Sequence, residues 1–405
     1  MEGLLLAAGL GVTALYLALV ASNFLGMGRL RPGRNEGSPP VSVLVAARDE
    51  EDHLPRCLDA LLAQDYAARA PLEIVVVDDR SQDATSRILA GYAARDPRVV
   101  ALRVDACPPG TSPKMSALSH AVEKASGEVL CVTDADCVPP PGWVHAVVAH
   151  FEDDVGLVAG PALRLPVDGR RSFLADIARI ASVIGSAMAA GGSAWGMPWT
   201  CSGANLAYRR EAFEALGGYT RLCHVASGDD DLLVQEMALR SPWRVAYAFS
   251  QEACVPSFEH AEAGAFASRQ VRHQARFLDH PRRVQAMSLV VFGQYIWFLC
   301  GPLLALASTP LGLAWLGTTL VRVPADLAAL RRCADRIGAT LDGRALARAL
   351  PAFPAMLVLS ALAGLRGRFT WKGERYVRRR TWRSSAARKP AAPRRRAPAA
   401  WRVPR

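Results

Sequence analysis

LEIVVVDDRSQDAT, residues 72–85, is the stretch that decides the fold class of this chain. Leu72–Val77 is a run of apolar, mostly β-branched residues, which predicts a short buried strand. An acidic and polar cluster ends that strand, and helical spacing follows over residues 83–96. A strand that leads through a polar loop into a helix is the repeating unit of parallel α/β sheets.

The same alternation continues on both sides of this stretch. The predicted strands are Val41–Ala47, Leu72–Val77, Val99–Val104, Glu128–Thr133 and Val155–Gly160, and the predicted helices cover 52–65, 83–96 and 114–126. This order predicts a doubly wound, mostly parallel α/β sheet over about residues 40–280. In such sheets ligands bind at the carboxyl ends of the strands, so the residues that follow each strand are the candidates for function.

Acidic residues follow three of the predicted strands, at 48–51, 78–85 and 134–136. Because the carboxyl ends of parallel strands share one edge of the sheet, we expect these clusters to converge. Carboxylates buried together are costly unless a cation is present, and a divalent ion shared with substrate phosphates removes that cost. Helix N-capping is the alternative use of such residues, and Asp83 with Thr85 fits it.

Nucleotide-binding glycine loops are absent: neither GxGxxG nor GxxxxGK[ST] occurs after the first strand, which argues against a dinucleotide fold and a P-loop. Hydrophobic residues make up 51 % of the chain, more than in an ordinary soluble enzyme. The net charge is +11, but residues 366–405 hold 13 Arg, 2 Lys and one Glu, so the remainder carries −3. The basic charge therefore belongs to a tail and does not indicate nucleic-acid binding. Nine cysteines at no metal-like spacing indicate reduced thiols.

An apolar N-terminal segment predicts a transmembrane anchor over residues 1–28. Residues 3–28 have no charged side chain and are long enough to cross a bilayer. Arg29, Arg31 and Arg34 follow, so the positive-inside rule places the N-terminus outside and the next domain in the cytosol.

The C-terminal third predicts further membrane segments. Residues 284–321 are uncharged but broken by proline, which predicts a span over 285–307 and a return limb or re-entrant piece over 310–321. We expect an amphipathic connector over 322–348, with a surface helix at 325–348, a transmembrane or interfacial segment over 349–365, and a basic, partly disordered tail over 366–405. A cytosolic tail requires an odd number of crossings, and three is favoured. These features predict a multi-pass protein of the cell membrane with a cytosolic catalytic domain.

Seven motifs can be matched to a known family: they are Val43–Glu51, Val76–Thr85, Lys114, Asp134–Asp136, Gly203–Asn205, Gly217–Tyr219 and Gly228–Leu233. In these motifs the chain resembles membrane-anchored family 2 glycosyltransferases with the GT-A fold, especially members that modify lipids. The motifs span about residues 40–280, and the VDDxSxDxT string and the DxD motif at this separation are jointly specific.

The resemblance implies a nucleotide-sugar donor, which we interpret as a UDP-sugar, and a Mg²⁺ or Mn²⁺ cofactor. The donor-binding residues are then Asp49, Glu50, Asp79, Lys114 and Asp134. Asp136 is the implied metal ligand, and Asp230 is the implied general base for an inverting transfer. Asp229 and Asp231 flank Asp230, and we expect packed acids to raise one another's pKa. Asp49 replaces the usual Asn, and Pro113 replaces the commoner Gly.

One motif departs from the family pattern. Members often have Gln-x-x-Arg-Trp after the base, whereas residues 269–277 read RQVRHQARF. One register matches Arg272 and His273 to the motif, and another matches Arg276 and Phe277. The resemblance implies that the arginine helps to bind the diphosphate and that the residue after it forms the floor of the acceptor site. Asp229 is assigned to the same acceptor or diphosphate side. A basic amphipathic surface helix is the alternative. Residues 171–199 predict an apolar helix that either packs in the core or forms the acceptor entrance.

The sequence therefore predicts an inverting glycosyltransferase that moves a sugar from a nucleotide sugar to a membrane lipid, without nucleic-acid partners. Three alternatives remain at this point. A processive polysaccharide synthase needs more helices to line a pore. A polyprenyl-phosphate glycosyltransferase has an acceptor that is already ionised and needs no base. An inactive membrane scaffold would not need the acidic site residues.

Overall fold

The computed structural model describes residues 1–377 except 109–110, 168, 170–171, 222–227, 260–262 and 372–373. The strands are β1 (Val41–Ala47), β2 (Leu72–Asp79), β3 (Val99–Val104), β4 (Val129–Asp134), β5 (Val155–Ala159), β6 (Ala162–Pro166), β7 (Leu206–Arg209), β8 (Arg244–Tyr247), β9 (Val255–Glu259), β10 (Arg368–Trp371) and β11 (Glu374–Val377). The helices are α1 (Glu2–Arg29), α2 (Leu54–Leu62), α3 (Thr85–Arg95), α4 (Pro113–Lys124), α5 (Trp143–Val148), α6 (Phe173–Ala194), α7 (Arg210–Ala215), α8 (Asp229–Arg240), α9 (Ala263–Gln274), α10 (Arg282–Ala307), α11 (Thr309–Ile337) and α12 (Gly343–Gly364).

A seven-stranded sheet forms the centre of the molecule, in the order β3-β2-β1-β4-β7-β5-β8. β1 pairs in parallel with β2 and β4, and only β7 runs antiparallel to its neighbours in this sheet. This arrangement confirms the predicted α/β class with a mostly parallel sheet. β6 and β9 form a separate parallel pair beside it.

Alternating side chains of the central strands build two cores. Val43 and Val45 of β1 pack into the cluster that contains residues of α2 and α5. Leu44, between them, points to the other cluster, which contains residues of α4, α6 and α8. Both faces of β1 are therefore covered, as the continuous apolar run of a buried parallel strand requires.

The long helices pack on the core that contains Leu44. α1 contacts α6, α10 and α11. The contact between α1 and α6 is close. A Cβ at Gly191 would lie 2.3 Å from Asn23 Oδ1, and a Cβ at Gly26 would lie 2.6 Å from the Gly191 carbonyl oxygen. Glycine at these two positions lets the backbones of α1 and α6 approach each other.

The predicted boundary between the apolar segment that ends at 321 and the connector that begins at 322 lies inside α11, which continues through Pro324 to Ile337. The predicted surface helix over 325–348 corresponds to the half-exposed end of α11 and the start of α12 at Gly343. One charge of the predicted surface helix, Asp326, is used where α11 packs on α1, whereas Arg331, Asp335 and Arg336 of the same helix are exposed. Arg322 Nε donates to Asp326 Oδ2 at 2.9 Å, and Tyr16 of α1 donates to Asp326 Oδ1 at 2.8 Å. Arg322 and Asp326 are therefore accommodated inside α11, where the predicted boundary fell.

Four of the described helices are long and apolar enough to cross a membrane, namely α1, α6, α10 and α11. More than half of the apolar window of α6 is buried within the protein. The two parts of α12, residues 343–349 and 351–364, meet at a bend of 42° and form a further candidate. The tail predicted over 366–405 contains β10 and β11, and its remainder beyond residue 377 lies outside the described residues.

Candidate active site

A cavity of about 1180 Å³ lies at the carboxyl ends of the central strands. The parallel register aligns Ala46 of β1 with Asp134 of β4, and Ala47 with Asp78 of β2. The three acidic clusters therefore meet at one edge of the sheet, as the sequence predicted. Asp49, Glu50, Asp79, Lys114, Asp134, Asp136, Asp230, Arg272, His273 and Arg276 all line this cavity.

Two loops at the first strands are held together by hydrogen bonds. The backbone N–H of Asp49 donates to Ser81 Oγ at 3.0 Å, and Asp49 Oδ1 accepts from the backbone N–H of Gln82 at 2.8 Å. Thr85 Oγ1 accepts from the backbone N–H of Glu50 at 2.8 Å. Asp49 has φ of 52°, in the left-handed region that Asp tolerates better than most side chains. These bonds fix the strained backbone of Asp49 at the cavity rim.

Ion pairs orient the next predicted donor residues. The buried carboxylate of Asp79 accepts from Arg80 Nε at 2.8 Å. Lys114, in the first turn of α4, pairs with Asp134 at 2.7 Å. A cation therefore already faces one carboxylate of the DxD motif.

Asp136 is the other carboxylate of that motif. It accepts hydrogen bonds from Ser257 Oγ of β9 at 3.3 Å and from Cys137 Sγ at 3.4 Å. Burial raises the pKa of Asp136, and the nearby charge of Asp134 raises it further. A cation beside Asp136 would offset both effects.

The residues at this motif suit a divalent ion that shares its ligands with a substrate. Within the described part of the chain, no three His, Cys, Asp or Glu side chains are grouped to hold a metal ion. Mg²⁺ is commonly bound by one or two carboxylates, with phosphate and water oxygens as its other ligands. Asp136, with its raised pKa, fits such a partial ligand set, so the implied metal agrees with the residues present.

The three aspartates at the start of α8 differ in their surroundings. Asp230 Oδ1 pairs with Arg276 at 3.0 Å, and Oδ2 accepts from the backbone N–H of Gly203 at 3.0 Å. Asp231 pairs with the other Arg276 nitrogen at 2.9 Å and accepts from Thr200 Oγ1 and from the backbone N–H of Cys201, both at 2.8 Å. Asp229 begins the helix, and its side chain lies outside the described residues.

The expected mutual rise in pKa occurs at only one of the two described acids. Burial raises the pKa of Asp231 to about 6, against the opposing charge of Arg276. Burial also acts on Asp230, but the charges of Arg276 and Lys114 outweigh it and hold the pKa of Asp230 well below its usual range. The expectation is therefore wrong for Asp230, because the charge of Lys114 acts on its carboxylate in addition to that of Arg276.

Of the two arginines that the alternative registers match to the motif, Arg276 contacts the acids of α8. Arg276 bridges Asp230 and Asp231, and its Nη2 lies 3.1 Å from His273 Nδ1. Burial lowers the pKa of His273, as do Arg276 and Arg272, so this imidazole is neutral. Arg272 lines the cavity in the last turn of α9. Arg276 is thus the arginine in contact with the acids of α8.

Lys114 and Asp230 lie close together across Gly203. A Cβ at Gly203 would lie 3.1 Å from Asp230 Oδ2 and 3.2 Å from Lys114 Nζ. Glycine at this position leaves space between the two side chains. The gap is where a reacting sugar could contact both the donor residues and Asp230.

Sequence reasoning missed Arg164 in β6, a cavity residue that no motif marks. Burial lowers the pKa of Arg164, against the opposing charges of Asp136 and Asp134. Burial, together with the charges of Arg164 and Arg272, lowers the pKa of Arg269 to about 10. We call Arg164, Arg269 and Arg272 the basic cluster.

The cavity continues from these charges into an apolar region between α6, α10 and α12, which we call the apolar arm. Its lining residues are Ile184, Gly185, Met188, Met287, Val291, Phe292, Tyr295, Phe353 and Leu357. The predicted apolar helix at 171–199 is therefore α6, and its side chains line the cavity as well as the core. Its position agrees with the predicted acceptor entrance.

Comparisons with known proteins bear on this site. Residues 42–217 match the model of glycosyl transferase family 2. A probable glycosyltransferase of Bacillus subtilis, YdaM, is 32% identical over 184 residues, which is 45% of this chain and 43% of that protein. The beta-monoglucosyldiacylglycerol synthase of Trichormus variabilis is 34% identical over 125 residues, which is 30% of this chain and 26% of the synthase. The chain spans less than half the length of the first curated relatives it matches.

A solved structure matches over most of the chain. The mannosyltransferase PcManGT from Pyrobaculum calidifontis, in complex with GDP-Man and Mn²⁺, has a TM-score of 0.55 and 19% sequence identity. The match covers 89% of this chain and 99% of that one. At this identity the likeness concerns the fold.

Proposed function

We propose, from the premise that this chain carries a family 2 glycosyltransferase domain with the GT-A fold, that it transfers one sugar from a nucleotide sugar to a membrane lipid with inversion at the anomeric carbon. The observation that carries the proposal is that one and the same cavity joins the acidic strand ends to the apolar arm. A water-soluble acceptor has no use for an apolar arm between long helices. The Trichormus variabilis relative is named for the synthesis of a glycolipid, which supports a lipid acceptor here.

We assign the donor to the strand ends. Asp49, Glu50 and Asp79 bind the nucleoside, and we take the nucleotide to be uridine. Lys114 and Asp134 lie beside the diphosphate. Asp136 holds Mg²⁺ or Mn²⁺, which when bound neutralises charge on the leaving diphosphate. The pairing of Lys114 with Asp134 supports this placement, because it puts one cation at the diphosphate position before the donor binds.

Asp230 is the proposed general base. Its side chain is 16% exposed, against 5% for Asp231, whose oxygens accept from Thr200, Cys201 and Arg276. A base must first reach the proton it removes, and its pKa matters second. The acceptor oxygen attacks the anomeric carbon, its proton passes to Asp230, and the bond to the diphosphate breaks. Asp231 positions Arg276, which holds Asp230 in place.

The membrane assignment is part of the proposal. α1, α10 and α11 cross the cell membrane, α6 and α12 border the acceptor site, and the catalytic domain over 40–280 faces the cytosol, where nucleotide sugars are made. Three apolar described helices with little buried surface support this assignment.

A substitution that fills the apolar arm tests the function. A Cβ at Gly185 has nothing within 4 Å, so Gly185→Trp fits the fold and places an indole in the arm. Gly317→Trp is the matched control, because Gly317 is an exposed helical glycine of α11 with equally open surroundings. The assay measures sugar incorporated into a membrane lipid extract, together with nucleotide-sugar affinity.

We expect Gly185→Trp to reduce lipid glycosylation at least tenfold with unchanged nucleotide-sugar affinity, and Gly317→Trp to behave as wild type. Full lipid transfer by Gly185→Trp would remove the apolar arm from the acceptor path. If the wild-type protein transfers no sugar to any membrane lipid, the proposed function is wrong.

A further inference from the structure

Arg164 lies at the junction between the DxD motif and the apolar arm. In the parallel pair of β6 and β9, Arg164 is opposite Ser257, whose hydroxyl donates to Asp136. On its other side, the backbone N–H of Arg164 donates to Ser182 of α6 at 3.3 Å. Ser182 is less than one helical turn from Ile184, where the apolar arm begins.

Among the described residues, no ion pair neutralises the charge of Arg164. Within the part of the chain that the structure describes, its guanidinium makes neither an ion pair nor a hydrogen bond. The other cations of the site differ, since Lys114 pairs with Asp134 and Arg276 pairs with Asp230 and Asp231. Arg269 and Arg272 add charge of the same sign nearby. Crowded, partly desolvated cations are costly without an anion between them.

A donor diphosphate does not need the basic cluster. Lys114 and the ion that we assign to Asp136 already neutralise it. The backbone of Arg164 contacts α6, which lines the apolar arm, so an anion bound between the basic cluster and α6 belongs to a molecule whose apolar part extends into the arm. A guanidinium is well suited to such a site, because it binds two phosphate oxygens at once.

We propose that Arg164, with Arg269 and Arg272, binds the phosphate of the acceptor, and that the acceptor is therefore a lipid with a phosphate in its headgroup. This inference rests on the proposed function and adds the substrate class. Two kinds of lipid share this chemistry: a lipid monophosphate and a phosphodiester phospholipid with a free hydroxyl.

The transfer step balances for both lipids. With a lipid monophosphate, a phosphate oxygen attacks the anomeric carbon, the bond from that carbon to the donor diphosphate breaks, and nucleoside diphosphate leaves with the electron pair; no proton is removed. With a phosphodiester lipid, a headgroup hydroxyl attacks in the same way and its proton passes to Asp230. Arg164 binds the phosphate in either case.

The test compares three acceptors with the full-length protein: farnesyl monophosphate, phosphatidylglycerol and diacylglycerol. The variants are Arg164→Gln, Arg164→Lys and the control Arg179→Gln. Arg179 is an α6 arginine that donates to Thr340 and does not line the cavity. The measurements are KM for acceptor and donor, and binding of farnesyl monophosphate by tryptophan fluorescence without donor.

We expect transfer to at least one phosphate-bearing lipid to exceed transfer to diacylglycerol. Arg164→Gln should raise the acceptor KM and weaken farnesyl monophosphate binding by about 10- to 100-fold, as expected for one charged hydrogen-bonded contact. The nucleotide-sugar KM should stay unchanged in this variant, and Arg164→Lys should lose less. A preference for farnesyl monophosphate identifies the monoester, and a preference for phosphatidylglycerol identifies the diester.

Other results would overturn the inference. Equal or better transfer to diacylglycerol shows that the phosphate is not recognised, although the proposed function stands. An Arg164→Gln variant that raises the nucleotide-sugar KM instead places Arg164 at the donor. If Arg164→Gln no longer binds nucleotide and is therefore misfolded, Arg164→Lys decides: a wild-type acceptor KM and farnesyl monophosphate affinity in that variant contradict bidentate phosphate binding. No transfer by the wild type to any lipid defeats the proposed function itself.

Discussion

At the scale of single residues, Arg276 determines how the two described acids of α8 behave. It pairs with both carboxylates, but Asp230 is also close to Lys114 and more open to the cavity. One acid is therefore held ionised at the cavity surface, while burial holds the proton of the other more tightly. A sequence of three consecutive aspartates cannot show this division, because the deciding residue comes more than 40 positions later.

With an acceptor that attacks through a hydroxyl, Asp230→Asn should nearly abolish sugar transfer and leave nucleotide affinity intact; with a lipid monophosphate, which needs no base, transfer should persist. A positioned base contributes about 10²- to 10⁴-fold to the rate, and the asparagine keeps the shape of the side chain. Asp231→Asn should lose less, because Asp230 still anchors Arg276. Transfer to membrane lipid extract, measured beside nucleotide binding, checks both variants. Inactivity of Asp231→Asn with a nearly normal Asp230→Asn would exchange the two roles.

Transfer should decline as the pH falls through about 6. The pKa of Asp231 is raised to about 6, so below that pH its carboxylate is protonated and its ion pair with Arg276 is lost. Above it, Arg276 is held by two carboxylates. Rate profiles between pH 5 and 8 should show this limb in the wild type and lose it in Asp231→Asn. An identical limb in both proteins would assign the titration to another group.

Asp136→Asn should abolish metal-dependent release of nucleoside diphosphate. Asp136 is the DxD carboxylate that Lys114 does not pair with, so the ion depends on it. Titration of Mg²⁺ or Mn²⁺ against chelator-treated protein is the measurement, and Asp105→Asn, at an exposed aspartate whose partner is Arg103, is the control. Metal-independent turnover in the wild type would contradict the assignment.

At the scale of helices and strands, the sequence predicted the α/β core well. β1 and β3 have the predicted bounds, because apolar runs between polar loops define buried strands. The carboxyl-end acids were found for the same reason. Arg164 was missed, because β6 pairs with β9, some 90 residues later, and a single arginine in a short strand has no local pattern.

The helix array was harder to predict, and Arg322 explains why. Its pairing with Asp326, together with the hydrogen bond from Tyr16, accommodates charges inside α11. A hydropathy pattern treats Arg322 and Asp326 as surface residues, because it holds no information about a hydrogen-bond partner in α1. The long-range hydrogen bond from Tyr16 to Asp326 is therefore invisible to local sequence.

Arg322→Ala should destabilise the helix array by about 3–5 kcal/mol, because it leaves Asp326 buried without its cation. Tyr16→Phe removes one hydrogen bond to the same carboxylate and should cost less, up to about 3 kcal/mol. Thermal unfolding in detergent ranks the two variants. The double variant Arg322→Leu with Asp326→Leu should recover part of the loss, and a loss no smaller than that of Arg322→Ala would contradict the ion-pair explanation.

At the scale of the whole molecule, the prediction concerns the side of the membrane. Arg29 ends α1, and Arg31 and Arg34 follow it, so the catalytic domain should be cytosolic. A reporter fused after residue 36 should be active only in the version that works in the cytosol. Activity of the version that works on the outer side would reverse the orientation and separate the site from its nucleotide-sugar supply.

The close contact of α1 with α6 at Gly26 and Gly191 means that the N-terminal span is not an exchangeable module. A chain that begins after α1 exposes the face of α6 that borders both the span and the acceptor cavity, so removing the span does not yield a soluble catalytic fragment. A foreign span of equal hydropathy but without glycine at the contact would hold the backbones apart. A larger residue at Gly26 would therefore require a matching change in α6.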